Sequence, residues 1–293
     1  CNWHSNMSTL KVNSINHLGD GNISIGHTTG GVISVGNTTG VNVVGVLTAT
    51  NLDYATAPYN AVINGDMKIS QRTSEVNYGN SITGITNDTF VVDRWEWDLN
   101  IGTWTVSHVN ESPSSSGIQY SMKAECTTAG TLGGTSLARF RQKIEGQQVM
   151  CSGDKEWSLS FWFKSNVNGV YSALLRNNKS GLNSPVSFTV SDNNWHHYKF
   201  NLGSGTGAID YYNQQSFELV VNVVVGSTYA SGTPNTGWVS PDQGTFGAGH
   251  TANTNVAGTI AYLTGVQLQP GPVCTPFINE SYNDTLMNCY RYY

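Results

Sequence analysis

Apolar positions between residues 60 and 293 recur with a period of two, in short runs broken by Gly, Asn, Ser and Pro clusters. That pattern predicts pleated strands rather than helices. In Trp157-Ser-Leu-Ser-Phe-Trp-Phe-Lys164, alternation puts Leu159, Phe161 and Phe163 on one side and Ser158, Ser160, Trp162 and Lys164 on the other. In Trp195-His-His-Tyr-Lys-Phe-Asn-Leu202, it places His196, Tyr198, Phe200 and Leu202 in the core and leaves Trp195, His197 and Lys199 outside. Phe217 to Val225 is almost continuously apolar, as in a strand covered on both faces, and another subunit is one candidate for the second cover. Further strands are predicted over Phe90–Trp97, Gly102–Val109, Ile118–Cys126, Arg139–Glu145, Glu156–Ser165, Val170–Arg176, His196–Leu202 and Thr259–Gln269. Together they predict an all-β chain whose residues 61–293 form a jelly-roll β-sandwich head.

The N-terminal part follows a different rule. Ile23-Ser-Ile25-Gly-His-Thr-Thr-Gly30 returns ten residues later as Ile33-Ser-Val35-Gly-Asn-Thr-Thr-Gly40, with a looser echo from Val43 to Val46. A fixed short period means stacked equivalent units, and so few units cannot bury an apolar stripe within one chain. Residues 22–50 are therefore expected to form a short intertwined trimeric β stalk, with Ile23, Ile25, Ile33, Val35 and Val43 facing a shared axis. Before it, residues 1–21 hold one strand-like stretch with Leu10, Val12 and Ile15 on an apolar side and no core of their own. Met7 reads as a natural start, with residues 1–6 as an upstream extension. Residues 51–60, containing Pro58, read as a linker.

Composition narrows the function. Only 11% of residues are charged, 14 basic against 19 acidic, and the net charge of −5 comes without any long run of one sign. No electrostatic footprint for nucleic acid or an anionic membrane results, and no stretch is apolar enough for membrane insertion. The first residues lack the pattern of a signal peptide. So sparse a charge suits surfaces that face other subunits. Cys1, Cys126, Cys151, Cys274 and Cys289 form no close pair and read as buried reduced thiols, with Cys126–Cys151 and Cys274–Cys289 bridges left open.

Glycan cleavage needs two carboxylates about 5 to 10 Å apart. Asp93, Glu96 and Asp98 cluster, as do Glu125, Glu145, Asp154 and Glu156, but Glu96 and Asp98 alternate with Trp95 and Trp97 as the solvated side of one strand. No catalytic residue is assigned, and the chain is expected not to be an enzyme. His196 and His197 face opposite ways and cannot chelate one metal, while Asp192, Asp210 and Asp242 lack calcium-loop spacing. No cofactor or metal is assigned. Sugar binding needs an outward aromatic ring for the apolar face of a pyranose, with polar groups beside it for the hydroxyls. Trp162, Trp195, His197 and Trp238 meet that requirement, with burial against the next subunit as the rival role for the tryptophans.

A set of motifs stands in order along the chain. These are Asn60-Ala-Val-Ile-Asn-Gly-Asp-Met-Lys-Ile-Ser-Gln-Arg72, Val92-Asp-Arg-Trp95, Gln142-Lys-Ile-Glu145, Trp157 to Ser165, Trp195 to Phe200, Gly265-Val-Gln-Leu-Gln-Pro-Gly271, Thr275-Pro-Phe277 and Cys289-Tyr-Arg-Tyr-Tyr293. In that order they resemble the tail-fibre and capsid-fibre proteins of tailed bacteriophages, over roughly residues 60 to 293. The resemblance implies a homotrimer on a virion, its jelly-roll head touching host-surface polysaccharide. Another virion protein would then hold residues 1–21 through Leu10, Val12 and Ile15. The family usually has Glu at Gln269 and Gln at Tyr290. The alternatives are a carbohydrate-binding module of a secreted bacterial protein and a fibre-borne glycan hydrolase or deacetylase.

Overall fold

A computed structural model describes residues 59–71, 81–149 and 156–291; the expected anchor, stalk repeat and most of the linker lie outside the described residues. Among the described residues the chain is an antiparallel jelly-roll β-sandwich. Its strands are β1 (Ser81–Ile85), β2 (Thr89–Val92), β3 (Trp95–Leu99), β4 (Thr103–Val109), β5 (Ser121–Thr128) and β6 (Leu137–Glu145). They continue as β7 (Trp157–Ser165), β8 (Gly169–Asn177), β9 (Asn183–Val190), β10 (His196–Asn201), β11 (Gln215–Val225) and β12 (Ile260–Pro270). One sheet has the order β1-β4-β5-β12-β7-β10 and the other β2-β3-β6-β11-β8-β9.

The inward residues of the two sheets interlock through aromatic rings. Trp97 meets Trp104 with ring centres 4.9 Å apart, Trp157 meets Phe217 edge-on at 5.1 Å, and Phe161 meets Phe188 at 5.2 Å. Such edge and tilted contacts are the favoured geometry for ring quadrupoles, and each large ring removes much apolar surface from water.

Several expectations are corrected. The strand expected over Phe90–Trp97 is a hairpin: β2 and β3 are joined at Asp93–Arg94, with Arg94 at φ 73°, and the two strands pair antiparallel. The alternation reads through that tight turn, so periodicity alone does not show it. β9 was not anticipated because Pro185 interrupts its pattern, but β9 is a sheet edge, where a proline is tolerated. A helix, α1 (Tyr282–Tyr290), closes the described chain with Ser281 as its N-cap.

The second cover of β11 comes from the chain itself. Asn222 Nδ2 donates to the Phe246 carbonyl, and Val220 is fully buried. His196 leaves the core set, its side chain 35% exposed and bonded to Asp192 at 2.7 Å, while Tyr198, Phe200 and Leu202 pack inward. Cys126, Cys274 and Cys289 are free thiols; Cys289 packs with Ile63 and Ile69, so Cys274 and Cys289 are not bridged.

Several of the motif residues meet in one cradle. Asn64, at φ 57°, donates to the carbonyls of Ile69 and Asp93, and its own carbonyl accepts from Trp95 Nε1 at 3.0 Å. Gln142 exchanges two hydrogen bonds with the backbone of Ile63. Gln267 Oε1 accepts from Ile278 N at 2.7 Å, and Gln269 Nε2 donates to the Val273 carbonyl at 2.8 Å. These bonds strap residues 59–71 and the segment before α1 onto β3, β6 and β12.

Candidate functional site

The outer face of the β1–β10 sheet carries the aromatic groups. Trp162 on β7 and His197 on β10 are register partners, and their rings stack 4.7 Å apart and 7° from parallel. Antiparallel pairing places such side chains on one face and within contact. The other register partner of Trp162 is Thr264 on β12. Immediately after it the register shifts in a bulge, and Gly265 adopts φ 60°. A Cβ at Gly265 would lie 2.9 Å from Trp162 Cδ1 and 2.7 Å from Ile118 Cδ1. The missing side chain is thus the space into which both neighbours pack.

Trp195 precedes β10 and leans on Tyr262 of β12, ring centres 5.8 Å apart. Lys164 is the β7 partner of Tyr262, and its ammonium sits 5.2 Å from the ring centre while donating to Glu111 at 2.8 Å. Lys123, on β5 beside Tyr262, pairs with Glu125 at 2.7 Å. Trp162, Trp195, His197 and Tyr262 are all half-buried, so each keeps part of a ring facing solvent.

The electrostatics keep the rings neutral. Burial, followed by the charge of Lys199, holds His197 below the ordinary imidazole value, so it stacks as a neutral ring able both to donate and to accept. Burial, then Glu111 and Glu125, pushes the Tyr262 hydroxyl up to about 12. The face therefore offers apolar ring surface flanked by ammonium and carboxylate groups, a pairing suited to the CH faces and hydroxyls of a sugar.

Trp238 does not join this face. Its ring lies 6.0 Å from Phe217, and its Nε1 donates to the Gly203 carbonyl at 3.3 Å. Next to it Val239 pairs with Asn183 of β9, so Trp238 packs where the edge strands β10 and β9 approach. Tyr262, Glu111 and Ile118 were not singled out from sequence. Alternation around Leu263 does turn Tyr262 outward, but only the β12–β7 pairing puts it beside Lys164.

The acidic residues sort differently from the solvated strand face expected of them. Glu96 and Asp98 are 6% and 7% exposed and belong to an ion-pair network on the outer face of the opposite sheet. Arg139 Nε donates to Asp98 at 2.7 Å, Arg141 Nε to Glu96 at 2.9 Å, and Arg141 also contacts Asp98. Glu218 lies 3.5 Å from Arg139. Burial raises the Asp98 pKa, opposed by the two arginines. Asp93 accepts from Gln71 through both oxygens, and Glu145 pairs with Arg291 at 2.9 Å. Asp242 caps a helical turn by accepting from Thr245 N, Asp192 accepts from Asn194 N, and Asp210 lies 3.6 Å from Lys179. Among the described residues no group of three or more His, Cys, Asp and Glu side chains is arranged to hold a metal.

The strands define an all-β jelly-roll sandwich with one aromatic outer face. No family model and no curated protein matches the chain. Solved structures do resemble it. One is the enzymatically active domain of tailspike protein 4 of bacteriophage CBA120, 16% identical with a TM-score of 0.37, the match covering 72% of this chain and 21% of that one. A second is the arabinose-bound MgGH51 α-L-arabinofuranosidase, at 14% identity and a TM-score of 0.36, covering 69% and 28%. A third is a CBM4 carbohydrate-binding module, at 11% identity and a TM-score of 0.37, covering 71% and 98%. The chain thus spans only about a fifth of the tailspike domain's length. The expectation that the chain is not an enzyme is corrected by these matches. One is to an enzymatically active domain and another to an arabinofuranosidase.

Proposed function

We propose that this chain is a homotrimeric bacteriophage fibre protein whose jelly-roll head holds host-surface glycan on the outer face of the β1–β10 sheet. In this reading residues 1–21 dock another virion protein through Leu10, Val12 and Ile15, and Ile23, Ile25, Ile33, Val35 and Val43 line the trimer stalk. The ordered motifs between residues 60 and 293 support the phage assignment. The observation that carries the sugar assignment is the gathering of four half-buried rings, Trp162, His197, Trp195 and Tyr262, around the Lys164–Glu111 pair. A pyranose laid on such rings buries its apolar face, and its hydroxyls reach charged donors and acceptors.

Calorimetric titration of bacterial capsular and lipopolysaccharide preparations tests this. Trp162→Ala lowers the affinity at least about tenfold, the cost of losing one aromatic contact. Trp238→Ala, at the sheet edges, lowers thermal stability and leaves the affinity in place. Equal binding by wild type and Trp162→Ala would refute the sugar assignment.

A further inference from the structure

Beside the aromatic face lies a cleft of about 340 Å³, at the low end of the range for small-ligand sites. Its walls include Asp66, Lys68, Ile118, Gln119, Tyr120 and Tyr282. They come from three parts of the chain: the 59–71 segment, the β4–β5 loop and α1. The bulge of β12 draws two of them together. Val266 N donates to the Gly65 carbonyl at 2.9 Å, and Thr264 Oγ1 donates to the Tyr120 carbonyl at 2.6 Å. Ile118 is the wall shared with the aromatic face, because its Cδ1 and Trp162 Cδ1 both rest against Gly265.

We propose that this cleft is a second subsite for the same glycan, so that the ligand is an oligosaccharide running from Trp162 across Ile118 to Tyr120 and Tyr282. The inference rests on the sugar reading of the aromatic face and deepens it. The chemistry also selects the sugar. Lys68 Nζ donates to Asp66 at 2.8 Å, to Asn279 at 3.2 Å and to the Glu280 carbonyl at 2.7 Å. An ammonium has three donors, and all are spent inside the protein. The cleft therefore offers no free cation to an anionic sugar. It offers instead the remaining lone pairs of Asp66, the Gln119 amide and two phenol rings, which match the hydroxyls and CH face of a neutral unit. The same three bonds fix Lys68 and Asp66 before ligand arrives, which lowers the ordering cost of binding.

The test uses ladders of maltose, cellobiose and N-acetylchitobiose oligomers from two to six units, with an oligogalacturonate ladder as the anionic contrast, titrated into the full chain. Wild-type affinity rises by about tenfold with length on a neutral ladder and not on the anionic one. Tyr282→Ala or Gln119→Ala, both at exposed positions, removes the gain with length and leaves the affinity for the shortest oligomer unchanged. Trp162→Ala weakens every length. If the cleft substitutions change nothing while Trp162→Ala still weakens binding, the subsite is wrong and the sugar face stands. If anionic oligomers bind better, the neutral selection is wrong. Binding to none of the ladders overturns the subsite.

Discussion

His250 has no part in the outer aromatic face, yet it makes stability depend on pH. It is 6% exposed, with Ser172 Oγ 3.4 Å from its Nδ1 and the Tyr171 ring edge-on at 5.5 Å. Burial lowers its pKa to about 4. The unfolded chain protonates this imidazole near its ordinary value of about 6.5, well before the folded chain does. Stability is therefore full above about pH 6.5 and falls as pH drops towards about 4, by roughly 3 kcal/mol in all. Urea unfolding between pH 4 and 7 should show that slope, and His250→Gln should reduce it. An unchanged slope in the variant would place the effect elsewhere. Nothing in the sequence marks His250, which sits in a Gly- and Ala-containing stretch. Trp162, by contrast, was legible, because alternation with Leu159, Phe161 and Phe163 turns it outward. Gly265 stands in the Gly265–Gly271 motif, but its role as the gap for Trp162 and Ile118 depends on a cross-strand neighbour that sequence spacing cannot name.

At the scale of elements, the least anticipated device is the ion-pair layer across β3, β6 and β11. Glu96 and Asp98 look like a solvent face in sequence because their partners, Arg139 and Arg141, lie on a strand distant along the chain. Arg141 is the centre, contacting Asp88, Glu96, Asp98 and Glu218. Removing one partner from a buried pair leaves an uncompensated charge. Arg141→Met should therefore cost about 3 to 5 kcal/mol, against less than about 1 kcal/mol for Lys123→Ala at a more open pair. Guanidinium chloride midpoints of the two variants check this; equal losses would mean the layer is no stronger than a surface pair. The long alternating strand β7 was readable, since it keeps its period over nine residues. The β2–β3 turn, edge strand β9 and helix α1 were not. Each depends on a local turn, a free edge or a docking surface rather than on period.

At the scale of the whole molecule, the ordered motifs converge on one structural task. Asn64, Asp93, Gln142, Gln267 and Gln269 bind backbone and one another across the sandwich, holding the 59–71 segment and the approach to α1 against the sheets. The motif residues therefore serve one architecture within this chain, while the aromatic face is set by strand pairing that no single motif contains. The low charge of 11% and the ten-residue repeat are explained together if three copies share an axis, because apolar and uncharged surfaces then face one another. Light scattering of the full chain at micromolar concentration reads this directly. The fibre assignment predicts a native mass near three chains, and a version lacking residues 1–50 then shows whether stalk or head holds the trimer; a monomeric full chain would contradict the assignment and leave the repeat without a physical reason.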